Sequence, residues 1–255
     1  MSFYEIILIL VLATVIHEIG HLLGAKIVGI RIKEAALGFG PILYEFKLRT
    51  TKIKICWILL GGYVMPGGTD EEFFSYPKIH RIILTASGLI MSIFVLPLFS
   101  LILINLIEGK SLNLIPGFIT ILQVFLNHPF EYFYAGLTIF PTITYSDDIS
   151  SYLSCLAEIS LFLGIVNALP IPILDGGQIL LTIFENKIPR IKDNYALINI
   201  IGYIILSTII LFPMFEVFFH NIKTTFPIIL FILFILYRVF KINYPFKKNN
   251  KTKTR

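Results

Sequence analysis

The sequence has 255 residues, 56% of them hydrophobic and 15% charged, with a formal net charge of +5. A soluble domain of this length needs far more polar surface, and the apolar residues come in blocks of about 20, roughly the length of helix that crosses a bilayer. That excludes an ordinary soluble enzyme. The positive charge does not call for nucleic acid, because the basic residues flank apolar blocks, where they face an anionic leaflet.

The chain therefore reads as an all-α polytopic membrane protein of about five transmembrane helices, with a small membrane-associated β-hairpin element after the first. The expected spans are residues 3–30, 79–107, 151–182, 195–219 and 226–240, with the β element at 31–68. Without a linker or an internal repeat, residues 1–245 form one transmembrane domain, and 246–255 a basic disordered tail. The first block is a span and not a removable signal peptide, since Met1 to Tyr4 carries no basic residue.

Charge asymmetry sets the expected orientation. Arg31, Lys33, Lys47, Arg49, Lys52, Lys54, Lys78 and Arg81 lie between the first two spans, whereas Lys110 stands against four acids in the next connection. An odd number of spans with the C-terminus in the cytoplasm satisfies this pattern. Residues 112–145 are apolar enough to dip into the membrane and are read as interfacial or re-entrant.

Between the first two spans the period changes. Ile42, Tyr44, Phe46 and Leu48 alternate with Leu43, Glu45, Lys47 and Arg49, and Ile53, Ile55, Trp57 and Leu59 repeat the alternation after Thr50-Thr51. Period two on both sides of a polar turn predicts a hairpin. Gly61, Gly62, Gly67 and Gly68 then bracket Tyr63-Val64-Met65-Pro66, a short extended piece.

Inside the first span lies His17-Glu18-Ile19-Gly20-His21. Residues four apart on a helix differ by about 40° around the axis and 6 Å along it, so the two imidazoles leave one face at a spacing that can hold one zinc ion. Glu18 stands beside that face, where it can take a proton from a water on the metal and pass it to a leaving amine. Two core histidines bonded between helices would be the plainer reading. An ionisable glutamate at mid-membrane weighs against it.

A catalytic zinc site takes a third protein ligand. Glu5, Glu158 and Glu216 lie towards the ends of spans, whereas Asp175 follows Pro170-Ile171-Pro172 and precedes Gly176-Gly177. Two such prolines interrupt a helix, and irregular backbone at membrane depth is tolerated where it lines a site or is buried in protein. Asp175 is thus the candidate, the alternative being a helix cap at the membrane exit. Asn167 could bond a substrate carbonyl or merely satisfy the freed backbone.

These residues, with Gly38-Phe39-Gly40-Pro41, Gly61-Gly62-Tyr63-Val64 and the run from Asn167 to Gly176, resemble the site-2 protease family of intramembrane zinc metalloproteases. The resemblance implies His17, His21 and Asp175 as ligands of one zinc per chain, Glu18 as general base, and a membrane-embedded protein or peptide as substrate. It implies that the hairpin and Gly61, Gly62, Tyr63 and Val64 pair with an unwound substrate, a strand edge supplying backbone partners. It also implies a multi-pass protein in the lipid bilayer of a bacterial plasma membrane. Many relatives carry a PDZ domain after the second span. Only about 43 residues are available here, too few for a typical domain, so any regulator is simpler or a separate membrane protein.

A catalytically silent relative that binds helices or metal is the alternative function. A transporter would need a second interrupted span, and none is convincing. Cys56 and Cys155 read as buried thiols, His80 and Arg81 as interfacial anchors, His128 and His220 as loop residues, and Ser87, Gly88 and Ser92 as helix-contact residues.

Overall fold

The structure, a computed structural model, describes residues 2–111, 114–127, 148–188, 191 and 194–220. Helix α1 (Phe3–Val28) starts at a reciprocal cap, in which Ser2 and Glu5 each bond the other's backbone N–H, and stops where Gly29 turns left-handed at φ 75°. One face of α1 exposes Tyr4, Leu8, Leu12, Ile19, Leu23 and Ile27, while Ile6, Ile9, Ala13 and His17 point inward.

Strands β1 (Ile32–Leu48) and β2 (Thr51–Pro66) form the expected hairpin, with its turn at Arg49-Thr50, one residue earlier than the alternation suggests. Arg49 takes φ 55° there, which releases Thr51 to pair with Leu48. The sheet reaches further back than expected. Ala35 pairs with both Ile53 and Val64, and Leu37 with both Ile55 and Gly62, so the start of β1 is flanked by both ends of β2. The bends that allow this fall at glycines: Gly38, Gly40 and Gly61 all have positive φ.

After the short helix α2 (Asp70–Ser75), capped by Thr69, come α3 (Lys78–Ile90), a π-helical turn over Met91–Val95 and α4 (Leu96–Ile107). Pro97 has no N–H to offer the carbonyl four residues back, which accounts for the irregular turn just before it. Helix α5 (Leu114–Asn127) occupies part of the stretch read as re-entrant, and residues 128–147 lie outside the described residues. Helix α6 (Ile149–Asn167), capped by Asp148, ends at the predicted break; α7 (Asp175–Phe184) begins beyond it, and α8 (Tyr195–His220) follows.

Three helices among the described residues are long and apolar enough to cross a membrane: Tyr4–Val28, Lys78–Ile107 and Ile149–Asn167. They match the first three expected spans, the third ending at Asn167 because the proline segment interrupts it. The expected fourth span is helical, but its described apolar stretch, Tyr195–Thr208, is shorter; the fifth, 226–240, lies outside the described residues. The molecule is thus mostly helical, with these three candidate spans and a small antiparallel sheet after the first.

One core cluster joins α1, α4 and α6 through Ile6, Ile9, Ala13, Leu96, Cys155, Leu156 and Ile159. A second, of Ala25, Ile30, Ile32 and Leu84 with Val64 and Phe73 against it, docks the sheet on α1 and α3. Helices α1 and α3 cross closely enough that a Cβ on Gly20 would stand 2.6 Å from the Ser87 carbonyl oxygen. Both cysteines are free thiols and buried, as expected.

Candidate metal centre and active site

His17 and His21 project from the inward face of α1, with 4% and 9% exposure, and α3 leaves room for them only because residue 88 is glycine. Their Nε2 atoms are 3.1 Å apart. Asp175, the first residue of α7, brings Oδ2 to 3.2 Å from His17 Nε2 and 3.4 Å from His21 Nε2. The chain thus joins three ligand-type atoms from segments separated by the whole of α2 to α6.

The donor set fits a metal ion. Four ligands at zinc–nitrogen and zinc–oxygen bond lengths of about 2.0–2.1 Å stand about 3.3 Å from one another in a tetrahedron. The three observed separations lie around that value. His21 Nδ1 lies 2.9 Å from the Leu84 carbonyl, which can only accept, so Nδ1 carries the hydrogen and Nε2 keeps its lone pair. Ser92 Oγ meets His17 Nδ1 at 2.9 Å and can accept in the same way. Among the described residues, Glu18 Oε2 and Asp175 Oδ2 are buried side-chain oxygens with no hydrogen-bond partner, the third being Ser100 Oγ. Two such carboxylate oxygens beside two imidazoles, unlike the isolated serine hydroxyl, suit a cation or a reacting group between them.

The sheet reaches this centre at Gly62. A Cβ there would stand 2.8 Å from Glu18 Cγ and 2.9 Å from its carboxyl carbon, so the β2 backbone lies against the glutamate. Of the other expected substrate contacts, Gly61 makes the bend and lies under the Phe39 ring, and Val64 packs in the second core cluster. Tyr63 donates its hydroxyl to Glu34 at 2.5 Å, and Glu34 is paired with Lys54 at 2.6 Å. Burial pulls the Glu34 carboxyl upward, but Lys54 and Tyr63 outweigh it and hold it below the usual range. Burial, and then the bond to Glu34, push the Tyr63 hydroxyl well above its usual value. Asn167 ends α6, half-buried, at the start of the irregular segment.

The reading of Arg81 is corrected, and His220, read as a loop residue, ends helix α8. Arg81 is not an interfacial anchor: at 2% exposure it makes two bonds to Glu185, of 2.7 and 2.6 Å, while its guanidinium lies over Phe73 and Phe74. The partner sits 104 residues away, just past α7, so no local pattern announces the pair. Ser92 likewise proves to be more than a helix-contact residue.

A family model described as peptidase family M50 matches residues 5–212. A zinc metalloprotease RasP of Geobacillus kaustophilus is 48% identical over 56 residues, 22% of this chain and 13% of the relative. The regulator of sigma-W protease RasP of Bacillus subtilis is 45% identical over 56 residues, again 22% and 13%. A chloroplastic membrane metalloprotease, ARASP, of Arabidopsis thaliana is 30% identical over 102 residues, 36% of this chain and 23% of that protein. The matched parts span between 13% and 23% of the length of these relatives. The model match covers most of the chain, and it contains both histidines, the glutamate and the aspartate: the chain belongs to peptidase family M50.

Proposed function

We propose that the chain is an intramembrane zinc metalloprotease that hydrolyses peptide bonds in or near membrane-embedded segments of proteins or peptide precursors. The observation that carries the reading is the meeting of His17, His21 and Asp175 at ligand spacing, with the buried Oε2 of Glu18 on the same helix beside them. His17, His21 and Asp175 are the proposed ligands of one zinc ion per chain. Bound there, zinc supplies Lewis-acid polarisation and a more acidic water.

The chain's own groups do the rest. Glu18, held by α1 and backed by Gly62, takes a proton on its unpartnered carboxylate oxygen and returns it to the leaving amine. The β2 backbone near Gly61, Gly62, Tyr63 and Val64 holds an extended substrate by strand pairing, and Asn167 bonds a substrate carbonyl. Burial by α1, α3 and α7 limits water around these groups. The relatives named as bacterial proteases and the three apolar helices support a bacterial membrane setting. A cytoplasmic C-terminus, two further spans and a separate regulatory membrane protein complete the proposal.

Changing Glu18 to Gln tests it. Purified E18Q should bind zinc as the native protein does and lose cleavage of a single-span substrate by at least about 10²-fold. Retained cleavage refutes the base, and a native protein that binds zinc but cuts no membrane substrate favours the silent-relative alternative.

A further inference from the structure

Asp175 Oδ2 lies 3.2 and 3.4 Å from the two imidazoles, and no further hydrogen-bond partner is recorded for that atom among the described residues. Its aim therefore depends on the backbone that carries it. That backbone is the interrupted stretch from Ala168 to Leu174, where helical bonding fails and carbonyls need other partners.

Gln178, one turn after Asp175 on α7, meets this need. Its Nε2 donates to the Pro172 carbonyl and, at 2.9 Å, to Asn199 Oδ1, while the Tyr195 hydroxyl donates to its Oε1. Both amide hydrogens and the oxygen are used, and a flipped amide would set oxygen against the Pro172 oxygen, so one orientation is imposed.

The partners share a face of α8. Tyr195 and Asn199 are four apart, and Gly202, three further on, lets the helix touch the same segment: a Cβ there would stand 2.8 Å from Ile173 Cγ2 and 3.0 Å from Ile173 N. The Tyr195 ring meets Phe74 edge-on at 5.3 Å, and Phe74 lies under the Arg81 guanidinium that grips Glu185 past the end of α7. Helix α7 is therefore held near its start by Gln178 and beyond its end by Glu185.

The geometry points to Gln178 as a positioning residue of the metal site: it fixes the Pro172–Asp175 segment against Tyr195 and Asn199 of α8, and so aims the Asp175 carboxylate at His17 and His21. Helix α8 thereby becomes a working part of the site. The inference rests on the metalloprotease reading only for the presence of an ion at these three residues.

Co2+ titration of the full chain in detergent, followed by visible absorption and thermal melting, tests it. Gln178→Leu should weaken Co2+ binding about 10-fold and alter the intensity and position of the ligand-field bands. Tyr195→Phe, which removes one hydroxyl, should weaken it about threefold in the same direction. If both variants melt lower but bind Co2+ with native affinity and band shape, Gln178 is only structural and the inference falls. Should Gln178→Leu fail to fold, Tyr195→Phe decides alone by the same two readouts. A native protein that takes up no Co2+, or an Asp175→Ala form that binds it as the native one does, overturns the site assignment along with the inference, an outcome distinct from failure at Gln178.

Discussion

Ser92 Oγ stands 2.9 Å from Nδ1 of His17, while the carbonyl of the same serine accepts a 2.9 Å bond from Ser160 Oγ on α6. Ser92 lies in the π-helical turn before Pro97, and Ser160 supplies its carbonyl with a partner outside the helix. The irregular turn thus orients a serine at a histidine, and α6 steadies the turn.

Replacing Ser92 by Ala should leave the fold intact and lower zinc affinity about 10-fold, because His17 loses the partner that sets its tautomer and ring angle. Competition with a chromophoric chelator measures this. Unchanged affinity would reduce Ser92 to a space-filling role.

The buried Arg81–Glu185 pair makes a different prediction. Arg81→Met alone leaves the Glu185 carboxylate, at 2% exposure, with Lys78 at 3.9 Å in place of its two short bonds, and should destabilise the protein by about 3 kcal/mol. Adding Glu185→Leu should recover most of that loss, since two apolar side chains leave no buried charge. Thermal melts of the two forms decide it, and a double variant no better than the single one sinks the idea.

Glu34 gives the sheet a pH dependence with a definite sign. Its carboxyl is held below the usual range by Lys54 and Tyr63 despite its burial, so the folded state favours the ionised form. The resulting stability is complete above the ordinary carboxylate range and lost as pH falls through the depressed folded value. Lys54→Met should move the acid loss to higher pH. Melting temperature against pH for both proteins would show it, and superimposable acid limbs would contradict it.

Gly62 is the last test. Gly62→Val places carbon 2.8 Å from Cγ and 2.9 Å from the carboxyl carbon of Glu18, and 2.7 Å from the Ala36 carbonyl oxygen, before any adjustment. Cleavage should fall about 10²-fold, as expected for a displaced reacting group, with zinc retained. A variant that cuts at the native rate would show that β2 does not set the position of Glu18.

Much of this site was legible because its signals are local. His17 and His21 share a helical face by spacing alone, and the two prolines before Asp175 announce a break that only a site or a buried turn tolerates. The hairpin from Ile42 to Leu59 was equally plain from its alternation. The start of β1 was not, because Glu34-Ala35-Ala36-Leu37 sits between both ends of β2 and carries no two-residue rhythm. Ser92, Arg81, Glu185 and Gln178 were misread or passed over for a related reason. Each acts through a partner distant in sequence or through a backbone atom, and side-chain patterns along the chain carry no trace of either.

The depth of the two imidazoles has a practical consequence for chelation. Only 4% and 9% of His17 and His21 is open, while the outer face of α1 exposes Tyr4, Leu8, Leu12, Ile19, Leu23 and Ile27. A highly charged sequestrant such as EDTA should reach such buried nitrogens slowly, whereas a planar, uncharged one such as phenanthroline partitions into the hydrocarbon that a span such as α1 faces. Inhibition by the two reagents should therefore differ in rate far more than their solution affinities would suggest.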